Sequence, residues 1–219
     1  MGTLTLTPSL VGGLLRFVLS WPGAPNDLDI HSFFAVSQTQ KCEVYFSKRS
    51  CVGVSLDVDN LSGGSKGVET ITVNTLGNYI YTIAVNKYVD LTGGVVAGEN
   101  NFNVNTTATV SLPNIPLVQA YAKISVYAPG FTDPILTLTA PSFIDITTVY
   151  KADVDTNLDI FDWWLALCFD GSIGVNSVTA INKYMNTKPK FTDCVNLMNN
   201  NNNYQGSTSA ISSTISFGR

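Results

Sequence analysis

Asp27, Asp29 and His31 stand at alternate positions in the run Asp-Leu-Asp-Ile-His. In an extended strand these three side chains share one face, opposite Leu28 and Ile30. Asp57 and Asp59 repeat the spacing opposite Leu56 and Val58, and Glu69 follows a glycine-rich turn. Carboxylates that converge at a sheet end repel one another unless a hard cation neutralises them, and all-oxygen donors suit Ca²⁺. The expectation is therefore a structural calcium site drawn from Asp27, Asp29, Asp57, Asp59 and Glu69. The competing reading is that Asp27 and Asp29 cap turn amides while His31 is hydrogen-bonded at a sheet edge. The stretch from Asp57 to Glu69 is not an EF-hand: Leu61 occupies a ligand position, and the glycine and glutamate each come one place late. Asp153, Asp155, Asn157 and Asp159 have a similar rhythm without the turn glycine, which reads as a solvated acidic loop.

Catalytic readings find little material. His31 is the only histidine, so a Ser-His-Asp triad would have to use it, and no Gly-x-Ser-x-Gly elbow is present. The same acids could supply a carboxylate pair for glycoside hydrolysis, but aspartates borne on strands between apolar residues are more often structural. The chain is expected not to be an enzyme. A net charge of −4, a pI near 4.8 and the lack of a Lys/Arg cluster exclude a nucleic-acid footprint. Apolar runs such as 14–19 and 163–169 are too short to span a bilayer.

The four cysteines, Cys42, Cys51, Cys168 and Cys194, form no CxxC pair. Two disulfides fit their spacing: Cys42–Cys51 across a short hairpin and Cys168–Cys194 tying down the C-terminal segment. Four buried free thiols in a cytosolic protein are the alternative. Disulfides place the protein in an oxidising compartment, extracellular or at a cell surface. The first residues do not read as a signal peptide, so secretion requires that the numbering begin at or after a processing site.

The elements that carry these residues alternate with period two. Phe17, Leu19 and Trp21; Val52, Val54, Leu56 and Val58; Tyr79, Tyr81, Ile83 and Val85; Ala108, Val110 and Leu112; and Ala122, Ile124 and Val126 each interleave with other residues. Turn chemistry separates the runs, at Pro22-Gly23, Ser62-Gly63-Gly64, Gly77-Asn78, Gly93-Gly94 and Pro129-Gly130. About ten strands at this spacing predict an all-β, antiparallel sandwich, Ig-like or jelly-roll-like, with strand-like N- and C-terminal extensions. Residues 159–169 could be a short helix, but Trp163, Leu165, Leu167 and Phe169 also alternate. A helical turn is expected within 176–183 or 193–198.

The segments Phe17-Val-Leu-Ser-Trp21 and Pro25-Asn-Asp27-Leu-Asp29-Ile-His31 resemble a family of extracellular bacterial and archaeal β-sandwich modules. Leu56–Asp59, Gly67-Val-Glu69-Thr-Ile71, Gly77 through Tyr88, Ile124–Tyr127 and Trp164–Gly171 continue the likeness in order, over about residues 14–183. Val68 replaces that family's proline, and the strand after Trp164 is longer than its counterpart. The resemblance implies a surface-exposed module without catalysis.

Three parts are expected: an N-terminal assembly segment, 1–13; one sandwich domain, 14–198; and an Asn-rich linker with a terminal strand, 199–219. Leu4, Leu6 and Leu10, and Ile211, Ile215 and Phe217, alternate in the two extensions. Apolar strands without a partner invite addition to a neighbouring copy's sheet edge. Only 13% of residues are charged, about half the usual share, as suits a surface buried against like copies. The expected function is an extracellular structural subunit that assembles into a filament or surface layer. The alternative is a calcium-dependent module that binds glycans or cell surfaces, with Trp21, Tyr121 and Tyr127 as an aromatic platform. Asn60 and Asn105 head N-glycosylation sequons.

Overall fold

The structure, a computed structural model, describes residues 14–22, 27–60, 67–88, 121–141, 163–185 and 187–199. In chain order the described strands are β1 (Leu15–Trp21), β2 (Asp27–Ala35), β3 (Lys41–Val44), β4 (Ser50–Cys51), β5 (Val54–Val58), β6 (Gly67–Val73), β7 (Ile80–Tyr88), β8 (Lys123–Tyr127), β9 (Leu136–Thr139), β10 (Trp163–Asp170) and β11 (Thr179–Met185). A 3₁₀ turn, Gly174–Ser177, precedes β11, and one short helix, α1 (Asp193–Asn199), follows it. One sheet has the order β4-β5-β6-β1-β8-β9 and the other β11-β10-β7-β2-β3. Every strand pair is antiparallel. The protein is thus an all-β sandwich, and no helix among the described residues is long and apolar enough to cross a membrane.

The alternation explains the packing. On β1, Leu15, Phe17, Leu19 and Trp21 are buried while Arg16, Val18 and Ser20 are only partly so. They meet Leu28, Ile30, Phe34, Tyr81, Ile83, Val85, Trp164 and Phe169 of the second sheet in one core. The second sheet is buried on both faces. Its outer side carries Phe33, Ala84, Trp163, Leu165 and Cys168, covered by Phe191, Cys194, Leu197 and Met198 of the C-terminal segment. A strand with two covered faces loses its polar alternation, which is why residues 163–169 could also be read as a helix. Burying one such large side chain contributes about 1.5–3 kcal/mol.

Both disulfides form as expected, with Cα–Cα distances of 5.9 Å for Cys42–Cys51 and 5.6 Å for Cys168–Cys194. The first does more than close a hairpin. Cys42 lies on β3 and Cys51 on β4, so the bond staples the edges of two different sheets. The second pins α1 to the outer face of β10. Closing loops of these lengths stabilises the fold by roughly 3 kcal/mol each.

Two local departures from alternation matter. Val52, grouped with its strand by periodicity, sits in the β4–β5 turn with φ 35°, followed by Gly53 at φ 76°. Between Leu56 and Val58 the ladder slips: Leu56 faces Ile71, yet Val58 faces Thr70. This bulge places two residues opposite one and reverses the facing of everything after it. Val58 is exposed as a result.

Candidate functional site

Glu69 lies on the inner face of β6, in the same row as Ile71 and Val73 and opposite Leu19. Two residues earlier, Gly67 pairs with Trp21, and its missing side chain is required there. A Cβ on Gly67 would fall 1.8 Å from Cε2 of the Trp21 indole. The indole therefore lies flat against the β6 backbone, beside the start of the row that Glu69 occupies.

The other half of the site comes from β2. Strand β3 pairs only with Ser32–Ala35, so Asp27–His31 has β7 on one side and no described strand on the other. Glu69 fills that open edge. Its Oε2 accepts the Ile30 N–H at 2.7 Å, and its Oε1 accepts the Asn60 N–H at 3.3 Å. One carboxylate thus bridges β6, β2 and the segment leaving β5. Carboxylate oxygens of Asp27, Asp29 and Glu69 lie within 4.8 Å of one another, and all three residues are buried. Burial and the charges of Asp29 and Asp59 push the Glu69 carboxyl up to about 10, against the pull of its two amide hydrogen bonds.

The bulge sorts the remaining acids. Asp59 turns toward this corner: it is close enough to act on Glu69, and its Oδ1 is buried without a hydrogen-bond partner. Its Oδ2 is 3.9 Å from Arg49 Nη1. Asp57, expected on the same face as Asp59, points the other way. It accepts hydrogen bonds from Ser55 Oγ at 2.8 Å and from Thr72 Oγ1, on the outer face of the first sheet. It does not join the group. Asn86 does stand beside it, directly opposite Asp29 in the β2–β7 register; it is buried, and its Oδ1 has no hydrogen-bond partner.

His31 continues the outward row of β2 but belongs to a different network. It is 1% exposed. Its ring stacks on Phe33 and Tyr45 and meets Trp163 edge-on, with centroids 5.6, 5.1 and 4.8 Å away. His31 Nδ1 is 2.9 Å from Glu43 Oε1, and the same oxygen is 2.8 Å from Lys188 Nζ. The Lys188 ammonium also lies 5.8, 5.6 and 5.9 Å from the rings of Phe33, Tyr45 and Trp163. Burial raises the Glu43 carboxyl, but its hydrogen bonds and charge contacts with His31 and Lys188 outweigh that and hold it below its ordinary value.

Local sequence carried no signal for Glu43, Lys188 or Asn86. They meet β2 through cross-strand register and through the C-terminal segment laid back over the sheet. Trp21 is core rather than platform, whereas Tyr121 is exposed and Tyr127 partly so. Asn60 is half-buried at the lip of the acidic corner. Asn105, Asp153 through Asp159, and the extension residues Leu4, Leu6, Leu10, Ile211, Ile215 and Phe217 lie outside the described residues.

Fold and site together define the class: a disulfide-braced antiparallel β-sandwich with an acidic corner between its sheets. No protein-family model, curated protein or solved structure matches the chain. The likeness to the extracellular module family rests on its motifs alone, and these fall on β1, β2, β5, β6, β7, β8 and β10.

Proposed function

We propose that the protein is an extracellular structural subunit that works by binding copies of itself, in a filament or surface layer, and is not an enzyme. The observation that carries this reading is the use made of the chain's one histidine. His31 is sealed between aromatic rings and bonded to Glu43 beneath Lys188, so the residue best suited to proton transfer serves to hold the sandwich. Two disulfides suit an oxidising extracellular setting. The low charge of the chain and the alternating apolar extensions support assembly.

Electron microscopy and light scattering test it. The intact chain should form fibres or sheets, and a chain lacking residues 204–219 should stay a folded monomer. A monodisperse, monomeric intact chain at high concentration would overturn the assembly reading. The second reading, a calcium-dependent module for glycans or cell surfaces, is favoured by the acidic corner. Glycan-array binding that vanishes with a chelator would select it.

A further inference from the structure

We propose that the corner between β2 and β6 is a calcium site, with Asp27, Asp29 and Glu69 as its anionic ligands and Asn86 and Asp59 as further oxygen donors. The inference concerns the sandwich itself and holds whether or not copies assemble.

The spacing fits the ion. Calcium binds oxygens at about 2.3–2.6 Å, so two ligands on opposite sides of it stand roughly 4.6–5.2 Å apart. The oxygens of Asp27, Asp29 and Glu69 lie within 4.8 Å of one another. Asp27 and Asp29 share a face of β2, but Glu69 comes from β6 in the opposite sheet, and nothing in a strand's own geometry would draw it to them. Burying like charges at this range costs several kcal/mol unless a counter-charge enters.

The second observation is independent of the carboxylates. Asn86 is 2% exposed, and its Oδ1 has no hydrogen-bond partner. Its register opposite Asp29 puts both side chains on the same face of the sheet, with Cβ atoms about 5 Å apart. A buried carbonyl oxygen without a donor costs about 1–3 kcal/mol, and a cation at Asp29 would satisfy it. The buried Oδ1 of Asp59 has the same need.

A protein cation borders the corner without entering it. Arg49 is about half exposed and reaches only Asp59, at 3.9 Å. The donor set also selects the metal. It contains oxygen only: the ligand atoms that converge are those of Asp27, Asp29 and Glu69, and His31 is not among them. That disfavours zinc, and a buried set of several protein oxygens suits calcium better than magnesium, which keeps its waters.

The site has a mechanical consequence. Cys42 faces Phe34 near one end of β2, and its disulfide joins the sheets there. Asp27 and Asp29 lie at the other end of the same strand. The ion and the disulfide would clamp the two sheets at opposite ends of β2.

The test uses the full chain, stripped with EDTA and returned to neutral buffer. Isothermal titration with CaCl₂ should give one strong site, and a calcium concentration of 100 times Kd should raise Tm by roughly 5–10 °C. MgCl₂ at equal concentration should do much less. Glu69→Gln and Asp27→Asn should each weaken calcium at least tenfold. Because Glu69→Gln could also fail to fold, metal content of the wild-type chain purified in calcium buffer gives a direct count. Absence of bound metal, of titration heat and of any Tm change would overturn the proposal, leaving the corner held by shared protons. Calcium binding undiminished in a folded Asp27→Asn variant would overturn it too, because the ion would then sit elsewhere on the chain.

Discussion

Replacing Gly67 with alanine should destabilise the protein by about 3 kcal/mol, and the figure follows from the Trp21 contact. The new Cβ would fall 1.8, 2.1 and 2.3 Å from Cε2, Cζ2 and Cδ2 of the indole. Carbon atoms rest at about 3.5–4.0 Å, so the ring must retreat by roughly 1.5–2 Å. Trp21 is 3% exposed and packed within the main core. Forcing extra volume into such a place costs about 1–3 kcal/mol, and expelling a large aromatic altogether about 3–5 kcal/mol. Urea unfolding followed by tryptophan fluorescence reads the loss directly; in a chain of this size it corresponds to a Tm fall of roughly 6–12 °C. Leucine at position 21 leaves room for the methyl group. The double variant Gly67→Ala/Trp21→Leu should therefore lose at least about 1 kcal/mol less than the sum of the single variants. A Gly67→Ala protein within about 1 kcal/mol of wild type, or strict additivity with Trp21→Leu, would refute the reasoning.

Two further outcomes concern the C-terminal segment. Glu43→Gln should cost about 2 kcal/mol at neutral pH, since it weakens charge-assisted hydrogen bonds to His31 and Lys188. Because the folded-state pKa of Glu43 is held below its ordinary 4.5, that stabilisation is fully present above 4.5. It is lost as pH falls through the folded value, so the gap between variant and wild type should narrow in acid urea titrations. Replacing Cys168 and Cys194 with alanine should cost roughly 3–4 kcal/mol by loop entropy. It should also speed tryptic cleavage after Lys190, because the bond anchors α1 over the sheet; unchanged digestion would show that the aromatic contacts hold the segment alone.

Much of the fold is legible along the chain. Of the residues that period-two alternation groups in rows, Phe17, Leu19, Trp21, Val54, Leu56, Tyr81, Ile83, Val85, Ile124 and Val126 are buried, whereas Val52 and Val58 are exposed. Alternation is a local property: side chains on an extended strand switch faces at every residue, so a half-buried strand writes its core row into the sequence. Cysteine spacing likewise yielded both disulfides. Asp27 and Asp29 could be paired in advance because they share a strand. Glu69 was named with them, but its reach across to the β2 edge was not readable, since it depends on where β3 stops pairing.

Tertiary structure decided the rest. The bulge after Leu56 separates Asp57 from Asp59, and no propensity marks it, because one extra residue is accommodated only against the fixed register of β6. Asn86 enters the corner through pairing with Asp29, and Lys188 meets Glu43 across a long stretch of chain by way of the segment folded over the second sheet. Sequence periodicity specifies which face of a strand is apolar. Which polar groups meet at the end of that strand depends on strand order, register and the path of the covering segment, and those follow from packing the whole chain at once.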